Sequence, residues 1–222
     1  IGKLPIVVGG TGLYINSLAD NIAFTDEPEN SVVREELSKR FCEVGGEKML
    51  AKLAEIDPRT AEKLHPSDKK RIIRAFEVYH LTGKTITEQK EISRTGDKII
   101  DPCIIGITYR DREKLYERIN RRVDIMLEKG LEQEAREAYQ RAGGGAFQAI
   151  GHKELFGYFK GDCSLGEAAE SLKMQTRRYA KRQLTWFNKD KRIHWFYADE
   201  EMDIPVAAEK TVKNFLERED AD

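Results

Sequence analysis

Cationic side chains are concentrated in one short stretch of this 222-residue chain, residues 177–187. At about 100° per residue, a helix over this stretch separates its cations from its aromatic and aliphatic residues. The cationic side carries Arg177, Arg178, Lys181 and Arg182. Guanidinium and ammonium groups at this density suit phosphates or RNA. An ordinary amphipathic surface helix with a basic rim would show the same pattern.

A glycine-rich stretch near the start, residues 9–12, is a second candidate for phosphate chemistry. The β-prone residues 5–8 precede it and the helix-like residues 13–18 follow it, so the pattern predicts a strand, a loop and a helix. Glycines let the backbone approach a ligand closely, and helix N-terminal amides attract phosphate. The stretch matches neither common phosphate-loop motif, and a tight strand-to-helix turn explains it equally well.

Two further groups of cations lie on predicted helices. Arg118 and Arg122 border the apolar face of a helix predicted over residues 111–127, where they could clamp a diphosphate or simply extend into water. A second group shares one helix and could equally be a solvated face: Lys69, Lys70, Arg71 and Arg74.

The elements that must position these residues predict an α/β fold with a parallel sheet. Between two strand signals, residues 21–97 show only helical patterns, as in a helical insertion. Helices are predicted there over residues 31–41, 47–56, a short segment from Asp57-Pro58, and 69–81. A buried parallel strand is predicted from Ile99-Ile100 and residues 103–108, and a last strand over 193–197. The other predicted helices span residues 111–127, 132–141, a segment from Leu155-Phe156, 164–188 and 205–218.

Composition excludes several classes of protein. Hydrophobic residues make up 40% and charged residues 35% of the chain, and no apolar run approaches the roughly 20 residues of a membrane span. Three widely separated cysteines and four scattered histidines predict neither a disulfide framework nor a zinc site, so a reducing cytoplasm is expected.

The net charge of −1 hides an asymmetry. Residues 173–192 carry eight Lys or Arg and one acid, whereas residues 199–222 carry nine acids and three bases. A near-neutral chain with one concentrated basic segment indicates a local anionic partner.

Several short motifs follow one another along nearly the whole chain. They are VGGTGLY at 8–14, DP at 57–58 with HPSDKKRIIRA at 65–75, TGK at 82–84, RINRRVD at 118–124, QAIGHKE at 148–154, and residues 177–187 with His194-Trp195. In this order and spacing they resemble the tRNA dimethylallyltransferases, the bacterial isopentenyl-tRNA transferases. Each motif is modest, but the combination is highly specific.

The resemblance implies a P-loop-type α/β core, residues 1–20 and 98–222, with a helical insertion, residues 21–97, around the tRNA anticodon stem-loop. It implies transfer of a dimethylallyl group from dimethylallyl diphosphate to the exocyclic N6 amine of the adenosine 3′ to the anticodon, with Mg2+ on the diphosphate. The base must be extruded to be reached, and cations must stabilise the leaving diphosphate. A cytoplasmic monomer that binds no membrane is expected.

The resemblance also implies residue roles. Thr11 would lie where the target adenosine meets the donor, and Arg122 would hold the diphosphate with Arg118 nearby. The implied tRNA contacts, besides Thr11, are Arg34, Lys69, Lys70, Arg71, Ile72, Ile73, Gln148, Gly151, His152, Arg178 and Arg182. No metal ligand is assigned, and the long-helix arginines could instead brace the fold or the diphosphate.

Two departures from the family pattern matter. The Walker-A-like loop and the Asp-Ser pair that supplies the general base are not present, so this polypeptide alone is expected to be inactive and its sheet to lack its first strands. His152 stands where the family usually has Tyr.

Three other functions remain open on the sequence. A free-nucleotide transferase that modifies AMP shares the core, but it would need no insertion of this kind. A non-catalytic RNA-binding module is the second, and a metabolite-kinase-like α/β protein is the third.

Overall fold

The computed structural model describes residues 4–22, 31–93, 99–141, 149–200 and 202–219. The chain divides into two compact units, Leu13–Asp101 and Ile1–Gly12 with Pro102–Asp222. We call them the helical unit and the sheet unit. The predicted boundaries, 20/21 and 97/98, lie eight and four residues from these, and the roles predicted for the two segments stay predictions. None of the helices in the described part of the chain combines the length and apolar character that a membrane span requires.

The helical unit contains only helices and connecting turns in its described residues. The helices are α1 (Gly12–Ala19, which begins one residue before the unit), α2 (Ser31–Val44), α3 (Gly46–Ile56), α4 (Pro58–Ala61), α5 (Lys69–Thr82) and α6 (Ile86–Ile92). The helices predicted over 31–41, 47–56 and 69–81 are confirmed, as is the short helix after Asp57.

Apolar residues at helical spacing form the core of this unit. Leu37 on α2, Met49 and Leu53 on α3, and Ile72 and Phe76 on α5 are all buried and pack together. Burying a side chain of this size stabilises a fold by about 1.5–3 kcal/mol, so these contacts hold the three helices together.

The sequence interpretation missed α6, although the sequence contains its start signal. Thr85 and Glu88 form a capping box, in which each side chain accepts a hydrogen bond from the other residue's backbone N–H. Buried Asp57 then ties α6 to α4, since its carboxylate accepts hydrogen bonds from the backbone N–H groups of Thr60 and Thr87 and from the Thr87 hydroxyl, at 3.1, 3.1 and 2.6 Å. Burial raises the pKa of Asp57, but the hydrogen bonds from Thr87 and Thr60 outweigh it and the pKa is lowered.

The sheet unit holds a two-stranded parallel sheet and five helices in its described residues. The elements are β1 (Ile104–Thr108), α7 (Arg112–Glu128), α8 (Leu131–Gln140), a 3-10 turn (Lys153–Leu155), α9 (Phe156–Lys160), α10 (Leu165–Phe187), β2 (Ile193–Tyr197) and α11 (Ile204–Glu219). The strands pair from Ile104 with Ile193 to Thr108 with Tyr197, which confirms the predicted parallel arrangement. A buried cluster packs α7, α8 and α10 together: Val123, Leu131, Ala135, Leu155, Ala168 and Leu172.

Two strand predictions were wrong. Residues 5–8 form no strand, and the Ile6 and Val8 side chains are 81% and 92% exposed. A strand needs a hydrogen-bonded neighbour, and no described strand lies alongside these residues. Ile99 and Ile100 also lie outside β1, since Pro102 interrupts the run and offers no N–H for a ladder.

The start of α7 is fixed at the carboxyl ends of both strands. The Asp199 carboxylate accepts hydrogen bonds from the backbone N–H groups of Arg110 and Asp111, each at 2.8 Å, and these bonds lower the pKa of Asp199. Asp111 in turn caps α7 by accepting from the Glu113 N–H at 2.8 Å. The loop after β2 therefore sets where α7 begins.

Candidate functional site

The glycine loop, residues 9–12, packs against α10. The carbonyl oxygen of Gly10 accepts a hydrogen bond from the Gln183 side-chain amide at 2.9 Å and one from the Tyr179 hydroxyl at 3.3 Å. Tyr179 and Gln183 are four residues apart, so they lie on one stripe of α10. The exposed Thr11 follows Gly10 directly.

The glycines in this loop are required by close approach. A Cβ at Gly10 would lie 1.9 Å from the Gln183 amide nitrogen, and one at Gly12 would lie 2.2 Å from the Trp186 ring. A side chain at Gly12 would collide with the Trp186 ring, and one at Gly10 would displace the end of the Gln183 side chain from its contact with the loop. The sequence interpretation expected these glycines to let the backbone approach a ligand closely. In the structure they let it approach α10, a helix of the same unit.

Three exposed cations form a stripe on the same helix, α10. Arg178, Lys181 and Arg182 fall within about 100° of one another around the helix, and none forms an ion pair within the described residues. The Arg182 guanidinium lies over the Tyr179 ring, 5.7 Å from its centroid. Tyr179 therefore connects this cationic stripe with the glycine loop.

A different stripe of α10 holds α7. The Arg177 guanidinium donates to the Asn120 side-chain oxygen at 2.6 Å, and Lys173 pairs with Asp124 at 2.8 Å. Residue numbers rise along α10 as they fall along α7, so the two helices run antiparallel. The hydrogen bond to Asp124, with a second to Glu170, raises the pKa of Lys173.

Arg118 and Arg122 lie on the far side of α7 from these contacts. At about 100° per residue they fall roughly 160° from Asn120 in opposite directions. Both are exposed, and neither forms an ion pair in the described part of the chain. The Arg182 contact with Tyr179 places Arg182 near the glycine loop, since the Tyr179 hydroxyl donates to Gly10. Arg118 and Arg122, the α7 pair, form no described hydrogen bond with Thr11.

Residues 149–154 of the QAIGHKE stretch form a tight turn. Gln148, the first residue of that stretch, lies outside the described residues. Gly151 is buried with a φ of 111°, and its N–H donates to the Glu154 carboxylate at 2.9 Å. The His152 side chain is only 11% exposed, and its Nε2 lies 3.0 Å from Oε1 of Glu134 on α8. In this structure His152 joins the turn to α8.

Among residues 69–73 of the helical unit, which are predicted to contact RNA, some side chains are buried and others are exposed. Ile72 and Ile73 are 0% and 7% exposed, so their side chains belong to the core and cannot reach an RNA surface directly. Lys70 and Arg71 are exposed, and Lys69 lies over the Phe41 ring at 5.6 Å from its centroid. Three cations in the first turn of a helix are unfavourable for its dipole, and a bound phosphate would relieve that cost.

Arg34, another predicted RNA contact, forms an ion pair inside the helical unit. Its guanidinium lies 3.1 Å from Oε2 of Glu77, and Arg74 lies 3.1 Å from the same oxygen. Burial raises the pKa of Glu77, but the hydrogen bonds and charges of Arg34 and Arg74 outweigh it and the pKa is lowered. Arg34 thus has a structural role whether or not it also contacts RNA.

The described residues do not fit a protein-only magnesium site. In the described ranges, no group of three or more His, Cys, Asp or Glu side chains is arranged so that it could hold a metal ion. Mg2+ prefers oxygen ligands in octahedral geometry and commonly takes several of them from water and substrate phosphates.

The sequence interpretation did not find Gln183 and Asn120 as contact residues. Gln183 falls among the aromatic and aliphatic residues of the predicted helix over 177–187, and a polar amide in such surroundings was the available signal. Asn120 is the uncharged partner of Arg177. It lies four residues before Asp124, the partner of Lys173, so both residues are on the side of α7 that contacts α10.

The comparisons with known proteins agree with one another. Residues 1–190 match the IPP transferase family. The tRNA dimethylallyltransferase of Desulforamulus reducens is 48% identical over 200 residues, which is 89% of this chain and 70% of that protein. The crystal structure of the full-length tRNA isopentenylpyrophosphate transferase of Bacillus halodurans aligns with 97% of this chain and 66% of its own, at 38% identity and a TM-score of 0.59.

A eukaryotic dimethylallyltransferase acting on tRNA aligns with 92% of this chain at 30% identity and a TM-score of 0.68. This chain covers 53% of that eukaryotic chain. It therefore spans between about half and about two thirds of the length of these relatives.

Proposed function

This chain belongs to the tRNA dimethylallyltransferase family of enzymes, and from that membership we propose that it takes part in prenyl transfer to tRNA. The donor is dimethylallyl diphosphate, and the acceptor is the N6 amine of the adenosine 3′ to the anticodon. The observation that carries the proposal is the stripe of three cations on α10, none of which has an ion-pair partner among the described residues. One of them, Arg182, lies over the Tyr179 ring, whose hydroxyl donates to the glycine loop. This stripe would provide a phosphate-binding surface on the helix that holds the glycine loop.

The reaction forms one bond and breaks another. The N6 nitrogen attacks the allylic carbon, the carbon–oxygen bond breaks, and the diphosphate leaves with the electron pair. The amine loses a proton to a general base, a role that we assign to none of the residues named above. Negative charge grows on the leaving group, and Arg122 with Arg118 would stabilise it. This role suits two exposed guanidinium groups, one helical turn apart, that lack carboxylate partners within the described ranges.

RNA contacts are proposed for both units. Arg178 and Arg182 would bind the RNA backbone beside the glycine loop, and Lys69, Lys70 and Arg71 would do so from the helical unit. Thr11 would contact the acceptor base. Gly151 and His152 lie in a tight turn of the sheet unit, and their predicted RNA contact stays a prediction, as does that of Gln148.

A transfer assay tests the proposal directly. The protein of the complete native reading frame is incubated with dimethylallyl diphosphate and either an anticodon stem-loop or AMP, and the prenylated adenosine is identified by mass after nuclease digestion. Transfer to the stem-loop alone is expected. Transfer to AMP would favour the free-nucleotide enzyme, and salt-dependent RNA binding without transfer would favour the non-catalytic module. The expectation that the 222-residue chain alone is inactive stays a prediction, which the same assay on that chain decides.

The cationic stripe of α10 makes a separate binding prediction. Replacing Arg178 and Arg182 with Ala should weaken binding of the stem-loop and reduce the slope of log affinity against log salt by about 1 for each phosphate that is no longer neutralised. The fold should persist, because both side chains are exposed. Fluorescence anisotropy at several salt concentrations measures the slope, and far-UV circular dichroism checks the fold.

The matched control removes two cations that already have carboxylate partners in the same unit. Arg141 pairs with Glu137, and Lys213 pairs with Glu209, at 3.1 and 2.7 Å. The variant with both Arg141→Ala and Lys213→Ala loses the same charge. Equal weakening by the two double variants would show that only net charge matters and would contradict the stripe as a binding surface.

A further inference from the structure

The Gly10 carbonyl is the point at which α10 holds the glycine loop. Its oxygen accepts two hydrogen bonds, from the Gln183 amide at 2.9 Å and the Tyr179 hydroxyl at 3.3 Å. A carbonyl oxygen has two lone pairs, so both are used. We call Tyr179 and Gln183 the α10 clamp.

The clamp determines the direction of the next backbone donor. The Gly10 carbonyl and the Thr11 N–H belong to one peptide plane, and in a trans peptide they point in opposite directions. Because the carbonyl points to α10, the Thr11 N–H points away from it. That N–H donates to no group in the described part of the chain, and the Thr11 side chain is exposed.

Other supports for this loop are few among the described residues. Residues 4–9 form no strand and are exposed, so no sheet ladder fixes them. The glycines at 10 and 12 bring the loop into contact with α10, but they also make the backbone intrinsically free to rotate. Thr11 is therefore held on one side by Gly12, which begins α1 and packs against Trp186, and on the other by the hydrogen bonds from α10 to Gly10.

We infer that Gln183 and Tyr179 are positioning residues, which hold the peptide between Gly10 and Thr11 so that Thr11 faces the substrate. Gln183 acts as a hydrogen-bond donor, and its size alone is not sufficient. The consequence for catalysis rests on the proposed prenyl transfer, whereas the clamp itself does not.

Three substitutions separate donation from packing. Gln183→Leu removes the donor, Gln183→Glu keeps the size but presents a carboxylate that cannot donate at neutral pH, and Tyr179→Phe removes only the hydroxyl. Gln175→Leu is the matched control, since Gln175 lies on the same helix about two turns away and makes no described hydrogen bond.

The first measurement does not depend on activity. In the 222-residue chain, backbone 15N order parameters of Gly10 and Thr11 should fall towards about 0.6 or below in Gln183→Leu and Gln183→Glu, and less in Tyr179→Phe. They should stay unchanged in Gln175→Leu. Unchanged order in Gln183→Glu would overturn the donor role, and unchanged order in all three variants would overturn the clamp.

The second measurement uses the protein of the complete native reading frame. Both Gln183 variants should lower kcat by about tenfold while KM for each substrate stays within about twofold, because a small misplacement affects the transition state more than ground-state binding. In a double-mutant cycle, Gln183→Leu should cost little once Thr11 is Ala. Additive losses, or a loss confined to KM, would overturn the positioning role. If the parent protein transfers nothing, the proposed function fails, but the order parameters still decide the clamp.

Discussion

Replacing Arg122 with alanine should lower kcat for prenyl transfer by about 100-fold, the loss typical when a preorganised group that stabilises developing charge is removed. Arg122 and Arg118 are like charges one turn apart on α7, an arrangement that weakens a helix unless an anion lies between them. Lysine at 122 should restore only part of the rate, since an ammonium group cannot bind two diphosphate oxygens in the planar fork of a guanidinium. Stability should change little, because the side chain is exposed.

Arg121 provides the control for this prediction. It is exposed on the same turn of α7, about 100° around the helix from Arg122. Steady-state kinetics with varied dimethylallyl diphosphate, and calorimetric binding of inorganic diphosphate, compare Arg121→Ala with Arg122→Ala. Equal losses in the two variants would show a general field of positive charge instead of a specific diphosphate contact.

Elements with a strong period and a clear cap could be predicted from the sequence. For α10 the apolar steps of three and four residues combine with Ser164 and Glu167, which form a capping box in the structure. The missed helix α6 has the same box, but it spans only seven residues and offers too little periodicity to stand out. Residues 5–8 have the composition of a strand, but strand formation depends on a neighbour that local sequence does not encode.

The candidate site shows the same division between local and distant information. The residue types on the α10 stripe and the α7 pair could be predicted, because each set lies within a few turns of one helix. Their partners could not. Gln183 reaches Gly10 across 173 positions and Arg177 reaches Asn120 across 57, and spacing within one helix says nothing about such contacts. Burial of the Ile72 and Ile73 side chains likewise depends on contacts with α2 and α3 that local spacing does not show, and the RNA contact predicted for these two residues stays a prediction.

The double substitution Arg34→Ala with Arg74→Ala should lower the free energy of unfolding of the helical unit by about 3 kcal/mol at neutral pH. Both arginines bind Oε2 of Glu77, whose side chain is 1% exposed, and Oε1 has no hydrogen-bond partner among the described residues. Removing both cations leaves a buried carboxylate without compensation. The expected loss is at the low end for such a change, because the two arginines are about half exposed and water can partly replace them.

The exposed ion pair of Arg59 and Glu91 is the matched control. Its 2.7 Å distance is shorter than either contact to Glu77, but both side chains are more than 60% exposed. Arg59→Ala should therefore cost no more than about 1 kcal/mol. Urea unfolding of the three proteins measures the difference. A double-variant loss as small as that of Arg59→Ala would contradict the importance of burial at Glu77.

The lowered pKa of Glu77 determines how the stability of the helical unit changes with pH. The pKa of Glu77 in the folded state lies below its ordinary value of 4.5, so its pairing stabilises the fold above pH 4.5 and this contribution is lost as the pH falls through the lowered pKa. In the double variant only burial remains, which raises the pKa, so protonation relieves the buried charge as the pH falls. The stability difference between the parent and the double variant should therefore shrink from pH 7 towards pH 4.

RNA binding by the folded Arg34→Ala variant separates the two roles of Arg34. If Arg34 only stabilises Glu77, the affinity for RNA should be unchanged, whereas a direct RNA contact predicts a loss of affinity.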